Sequence, residues 1–154
     1  MTTHNNFEET KKQIKKWIAD GHGQTQDTAE QGKVWVIVVR VGESLPLAVS
    51  MTLGDPDIVS FGISLEIDAY LKPFNDLQPF QQTNLLYDLR IALIQIEGLG
   101  FDVPTTLSPI RLNAGLYLEE LTKPNLFKTI LKIDRAFNLV EFILDRKLAG
   151  FAQD

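Results

Sequence analysis

Residues 59–67 alternate: Val59, Phe61, Ile63, Leu65 and Ile67 point one way, and Ser60, Gly62, Ser64 and Glu66 point the other. A period of two predicts a strand with one buried and one wet face. Two further strands are read just before it. Residues 33–41 (KVWVIVVRV) are β-branched and apolar on both faces, which predicts a central strand. Residues 45–53 form the next, with Pro46 near its start, where a missing N–H is tolerated. Short turns at 41–44 and 54–57 join the three as an antiparallel meander.

Helical spacing takes over elsewhere. Residues 7–20 place Phe7, Ile14, Trp17 and Ile18 on one face and most of Lys11, Lys12, Lys15 and Lys16 on the other. Asn5 or Asn6 is the expected N-cap, and Gly21 the expected left-handed stop. The polar stretch 21–32 reads as a loop. A second helix is expected over 79–97, from Pro79 through Leu86, Leu89, Leu93 and Ile96 to the stop at Gly98. Short strands are expected near 101–105 and 110–118. The final helix spans 123–148, with Thr122 as cap, Pro124 in the first turn and Gly150 beyond the end. Leu126, Ile130, Ile133, Phe137, Val140 and Leu144 make a heptad-like stripe along it.

The expected fold is therefore a single α+β domain over 1–154, with 1–6 as a flexible tail. An antiparallel sheet of about five strands packs with helices in the order α-β-β-β-α-β-β-α. Composition agrees with a folded domain: 154 residues, 44% hydrophobic and 23% charged. The net charge of −5 disfavours generic nucleic-acid binding. The absence of cysteine excludes disulfides, thiolate catalysis and cysteine-held metals. No signal-like N-terminus and no apolar run long enough for a membrane span is seen, which points to the cytoplasm.

The succession of elements resembles that of type III secretion chaperones, which are small, acidic and dimeric, commonly through their central helix. The stretch Leu116-Tyr-Leu-Glu-Glu-Leu-Thr-Lys-Pro-Asn-Leu-Phe127, with the helix through Ala136 and Val140, is similar to a family of uncharacterised prokaryotic proteins. That likeness implies a fold and brings no activity or functional residue with it.

Residues with chemistry are sparse. His4 and His22 have no partner at metal-ligand spacing. Asp55 and Asp57 flank Pro56, where a hard cation is conceivable and an ordinary turn is expected. Asp68, Asp76, Asp88, Glu97, Glu119 and Glu120 are scattered, and Glu119 and Glu120, on an apparent strand, point to opposite faces. No serine sits in a Gly-x-Ser-x-Gly elbow, and no phosphate-binding loop occurs. The Lys11–Lys16 cluster reads as a solvated helix face. Trp17 and Trp35 are expected in packed positions. No cofactor, metal or catalytic set is implied.

The apolar excess on the helices carries the functional expectation. Phe127, Leu131, Leu139, Phe142 and Ile143 extend the last helix's apolar surface beyond its stripe. Leaving four or five such side chains in water forgoes on the order of 10 kcal/mol. A homodimer through the last helix, the central helix or both is expected, with Tyr87, Arg90, Ile94, Phe137, Val140 and Leu144 as its candidate residues. The reading is a non-enzymatic protein-interaction module, chaperone- or adaptor-like, with a protein or peptide partner. The alternatives are a small-ligand binder, or an enzyme built on carboxylates without histidine or cysteine chemistry.

Overall fold

The computed structural model describes residues 2–43 and 45–148, with side chains from residue 6 onward. Helix α1 (Thr2–Asp20) leads into strands β1 (Gln24–Thr28), β2 (Lys33–Arg40), β3 (Leu47–Thr52) and β4 (Asp55–Leu65). Helices α2 (Asp68–Asn75) and α3 (Pro79–Ile94) follow, then β5 (Gly100–Asp102) and β6 (Ile110–Tyr117). A 3-10 turn at Leu118–Glu120 and helix α4 (Lys123–Leu148) close the chain. The strands form a six-stranded antiparallel sheet in the order β1-β2-β3-β4-β6-β5. The class is α+β as expected, but the order is α-β-β-β-β-α-α-β-β-α. The two added elements are β1, within the expected loop, and α2.

Physical reasons account for both. The β1 sequence QTQDT carries no apolar period, and four of its five residues are exposed. It becomes a strand by laying its backbone along β2, in regular register from Gln24 opposite Arg40 to Thr28 opposite Val36. Pairing to an existing strand thus overrides weak intrinsic preference. In α2, Pro73 sits inside the helix and disguises it, while Phe74 anchors it at 2% exposure.

Contacts cluster into two compact units, and β4, β6 and α4 each contribute to both. The first unit comprises residues 1–62 and 114–131. Its core is built from rows of side chains across adjacent strands. Ile37 lies opposite Val49, and Val49 opposite Phe61, all three fully buried. Trp35, Met51 and Val59 form the next row. The Trp35 indole N–H is buried with no hydrogen-bond partner among the described residues, a situation that costs about 1–3 kcal/mol and that the ring's packing must offset. From α1, Ile14 and Ile18 add fully buried side chains, and from α4 so does Leu126.

Helix α1 begins at Thr2, so Asn5 and Asn6 lie inside it rather than capping it. Its end differs from expectation in an instructive way. The left-handed residue is His22, with φ +63°, not Gly21. The His22 N–H donates to the Ala19 carbonyl at 3.0 Å and the Gly23 N–H to the Ile18 carbonyl at 2.8 Å, the bond pattern of a Schellman stop. Gly21 leaves room instead: a Cβ there would lie 2.7 Å from Phe127 Cζ, so the ring would have to shift.

The second unit comprises residues 63–113 and 132–154. Leu65, Ile67, Phe74, Leu85, Leu86, Leu89, Leu93, Leu107, Ile110 and Leu112 supply its core, with Ile133, Ala136, Val140, Leu144 and Leu148 from α4. Gln78 and Gln81 form a reciprocal capping box at the start of α3, with Pro79 in its first turn. The Gln82 amide donates back to the Phe74 carbonyl at 3.0 Å and ties α3 to α2. Across the two units β6 alternates strictly, with Ile110, Leu112, Ala114 and Leu116 buried and Arg111, Asn113, Gly115 and Tyr117 exposed.

Thr122 caps α4 as expected, its Oγ1 accepting from the Asn125 N–H at 3.2 Å. Gly150 lies outside the described residues. Asp55, Pro56 and Asp57 open strand β4 rather than forming the turn, which is made by Leu53 and Gly54. Glu119 and Glu120 sit in the 3-10 turn, both exposed, because β6 ends at Tyr117.

Because a left-handed conformation costs a β-carbon-bearing residue roughly 1–2 kcal/mol, His22→Gly should raise the melting temperature and His22→Val should lower it. Thermal unfolding followed by circular dichroism checks both. An unchanged His22→Val midpoint would contradict the assigned backbone geometry.

Candidate functional site

The most distinctive surface among the described residues is one face of α3. The spacing of Leu85, Leu86, Leu89 and Leu93 turns those four inward, and all are buried. On the opposite side Phe80, Tyr87, Ile91 and Ile94 are 66, 62, 40 and 70% exposed. Their separations of seven, four and three residues set them in one stripe, about 21 Å long at 1.5 Å per residue. Thr83 and Asn84 fill the gaps, so the stripe holds no charged side chain.

The charged residues beside the stripe are already engaged. Arg90 donates from Nη2 to the Val103 carbonyl at 2.7 Å and is half-buried. Asp88 pairs with Lys147 of α4 at 3.6 Å. Each fixes an edge of the stripe, and neither crosses it.

The six residues expected at an interface therefore separate. Tyr87 and Ile94 are prominent on the exposed stripe. Arg90 lies at its margin with its guanidinium turned to the backbone. On α4, Val140 and Leu144 are fully buried and belong to the core of their unit, and Phe137 is half-buried. Four of the six members of the heptad-like stripe, Leu126, Ile133, Val140 and Leu144, are at most 2% exposed, and Ile130 is also buried. Of the apolar residues beyond that stripe, Leu131 and Phe142 stay exposed, at 44 and 60%. Phe80 and Ile91 were missed. Their signal was the seven-residue step from Phe80 to Tyr87 to Ile94, which is visible only once the buried face of α3 is known.

Three of the acids line one groove. Asp55, Asp57 and Glu119 line a groove of about 380 Å³ with Tyr117 and Leu118. No group of three or more His, Asp or Glu side chains among the described residues is arranged to hold a metal ion. His22 is exposed at the end of α1, and the side chain of His4 lies outside the described ones.

The lysines of α1 are less solvated than expected. Lys11 and Lys15 converge on Asp27 of β1 at 3.4 and 3.2 Å, and Lys12 approaches Glu9 at 4.0 Å. The hydrogen bond from Lys15 holds the Asp27 carboxyl below its ordinary range; desolvation opposes it, and Lys11 adds to the lowering. In the second unit the Tyr70 hydroxyl donates to Asp145. That bond, aided by partial burial and by the negative charges of Asp145 and Glu141, pushes the phenol up to about 12.

These features define an α+β protein whose distinguishing surface is an uncharged apolar helix face. The chain belongs to a family of uncharacterized conserved proteins, DUF2299, which it matches over residues 10–144. No curated protein matches it. Among solved structures it is similar to an uncharacterized protein from Methanothermobacter thermautotrophicus. The likeness has a TM-score of 0.79 at 16% identity and covers 89% of this chain and 97% of that one. At that identity the likeness is one of fold. No helix among the described residues is long and apolar enough to cross a membrane.

The Tyr70 contact has a pH signature. A phenol whose folded pKa lies above its unfolded value of about 10 stabilises the fold below pH 10, and that contribution is lost as pH rises toward 12. Ultraviolet titration should show an increment of phenolate absorbance centred near pH 12 that Tyr70→Phe removes. Identical titration curves for the two proteins would refute the assignment.

Proposed function

We propose that this protein is a non-enzymatic homodimer that binds other proteins, a small chaperone- or adaptor-like module of the cytoplasm with a fold akin to that of type III secretion chaperones. The observation that carries the reading is the exposed, uncharged stripe of α3. Isolated exposed apolar residues are ordinary on protein surfaces, but four in line on one helix are the mark of a covered face.

A second copy is the occupant that the spacing favours. Tyr87 stands seven residues from both Phe80 and Ile94. Two α3 helices crossing antiparallel at Tyr87 would set each Phe80 against the partner's Ile94, the self-complementarity that a two-fold interface demands. At these exposures the four side chains offer on the order of 450 Å² per copy. Thr83, Asn84 and Gln95 enlarge the face toward the roughly 800 Å² per partner of a standard interface. Taking this apolar area out of water in both copies is what drives the pairing.

Sedimentation velocity tests the reading. Wild-type protein should sediment as a dimer at micromolar concentration. The Tyr87→Lys/Ile94→Lys double variant should sediment as a monomer with an unchanged circular dichroism spectrum, since both positions are exposed. A wild-type protein that stays monomeric across the concentration range would end the proposal.

A further inference from the structure

Strand β1 closes one side of the sheet, and three observations single out its outer edge. The strand pairs with β2 in regular register without a bulge. It holds no proline, glycine or lysine. Charged or kinked residues, bulges and covering elements are how proteins protect a free edge, and the strand's own sequence supplies only a single carboxylate, Asp27. Four of its five residues are exposed. A strand with so little apolar character forms because a neighbour's backbone templates it, and its outer side presents the same template to the next chain.

The second observation is charge. The protein carries a net charge of −5, yet on this edge two cations, Lys11 and Lys15 of α1, share the single carboxylate of Asp27. The neighbouring positions of α1 add Lys12, which approaches Glu9 at 4.0 Å, and the exposed Lys16. Asp27 lies opposite Ile37, whereas Gln24 lies opposite Arg40, and alternation puts these two pairs on opposite faces of the sheet. Cations therefore flank β1 from both sides. Neither Lys16 nor Arg40 makes an ion pair among the described residues.

The third observation is shape. Arg40 stands in a groove of about 520 Å³ that runs over β1 and β2 toward Pro46 at the start of β3, with Gln24, Thr25, Gln26 and Val38 along it. A guanidinium beside two side-chain amides is a donor-rich lining suited to carboxylates.

We infer that the outer edge of β1 docks an extended, acidic segment of a partner protein, which adds to the sheet as a further strand. Main-chain bonds to β1 give the affinity, and carboxylates of the incoming strand meet Arg40 on one face and the α1 lysines on the other. The inference shares with the proposed function the idea of a protein-binding module and is independent of pairing through α3.

Two probes test it: a peptide of about eight alternating Glu and Val residues, within the usual length of a strand, and its Lys–Val counterpart. Fluorescence anisotropy at low salt should show saturable binding of the acidic peptide alone, weakening as salt rises. Hydrogen exchange should show amides within Gln24–Thr28 slowed by the acidic peptide. Arg40→Glu/Lys16→Glu should lower its affinity about tenfold or more with the melting temperature unchanged. Equal binding of the basic peptide, no binding of the acidic one, or protection placed elsewhere would overturn the inference. So would attachment to phosphatidylserine vesicles without peptide binding. The Tyr87→Lys/Ile94→Lys variant should bind the acidic peptide as the wild type does, so loss of the dimer and loss of the docking edge are read separately.

Discussion

The row formed by Ile37, Val49 and Phe61 across β2, β3 and β4 is the contact on which the first unit depends. Each side chain is fully buried and each is the direct cross-strand neighbour of the next. Register in an antiparallel sheet is fixed by such rows, because a slip of one residue would turn Ile37, Val49 and Phe61 out of line onto opposite faces. The same row continues outward to Asp27 on β1, and there the chemistry changes from apolar packing to ion pairing. Helix α1 follows that change: Ile14 and Ile18 serve the core while Lys11 and Lys15 meet the carboxylate at the edge. One helix thus finishes the core and stations charge along its border.

Elements whose burial follows a simple period were legible in the sequence. The alternation of β4 and β6 and the capped course of α4 are cases where local pattern and tertiary environment agree. Strand β1 was not legible because its strand character is borrowed from β2. Helix α2 was hidden by Pro73. The exchange of roles between Gly21 and His22 was out of reach for another reason: what crowds a side chain at Gly21 is Phe127, more than a hundred positions away.

The two long helices show a deeper ambiguity. A four-three apolar repeat is the same whether a helix faces its own core or a second molecule. On α4 that repeat is answered inside the chain, with Val140 and Leu144 fully buried. On α3 the leucines supply the core, and a second apolar line, uncharged and shorter, is left outside. Of the five residues read as extending the apolar surface of α4, Leu131 and Phe142 are exposed, while α3 carries a further exposed line of which Phe80 and Ile91 went unread. The archaeal structure shares the fold at 16% identity, so the likeness speaks for the arrangement of elements alone.

The burial of Trp35 gives the first unit a built-in optical reporter. Its indole is enclosed and its N–H meets no partner among the described residues, so its emission should lie toward the blue and be insensitive to aqueous quenchers. Trp17, half-exposed on α1, should emit further to the red and yield to iodide. The two fluorophores divide the unit between its sheet and its first helix, so detachment of that helix and collapse of the sheet would register as separate spectral events.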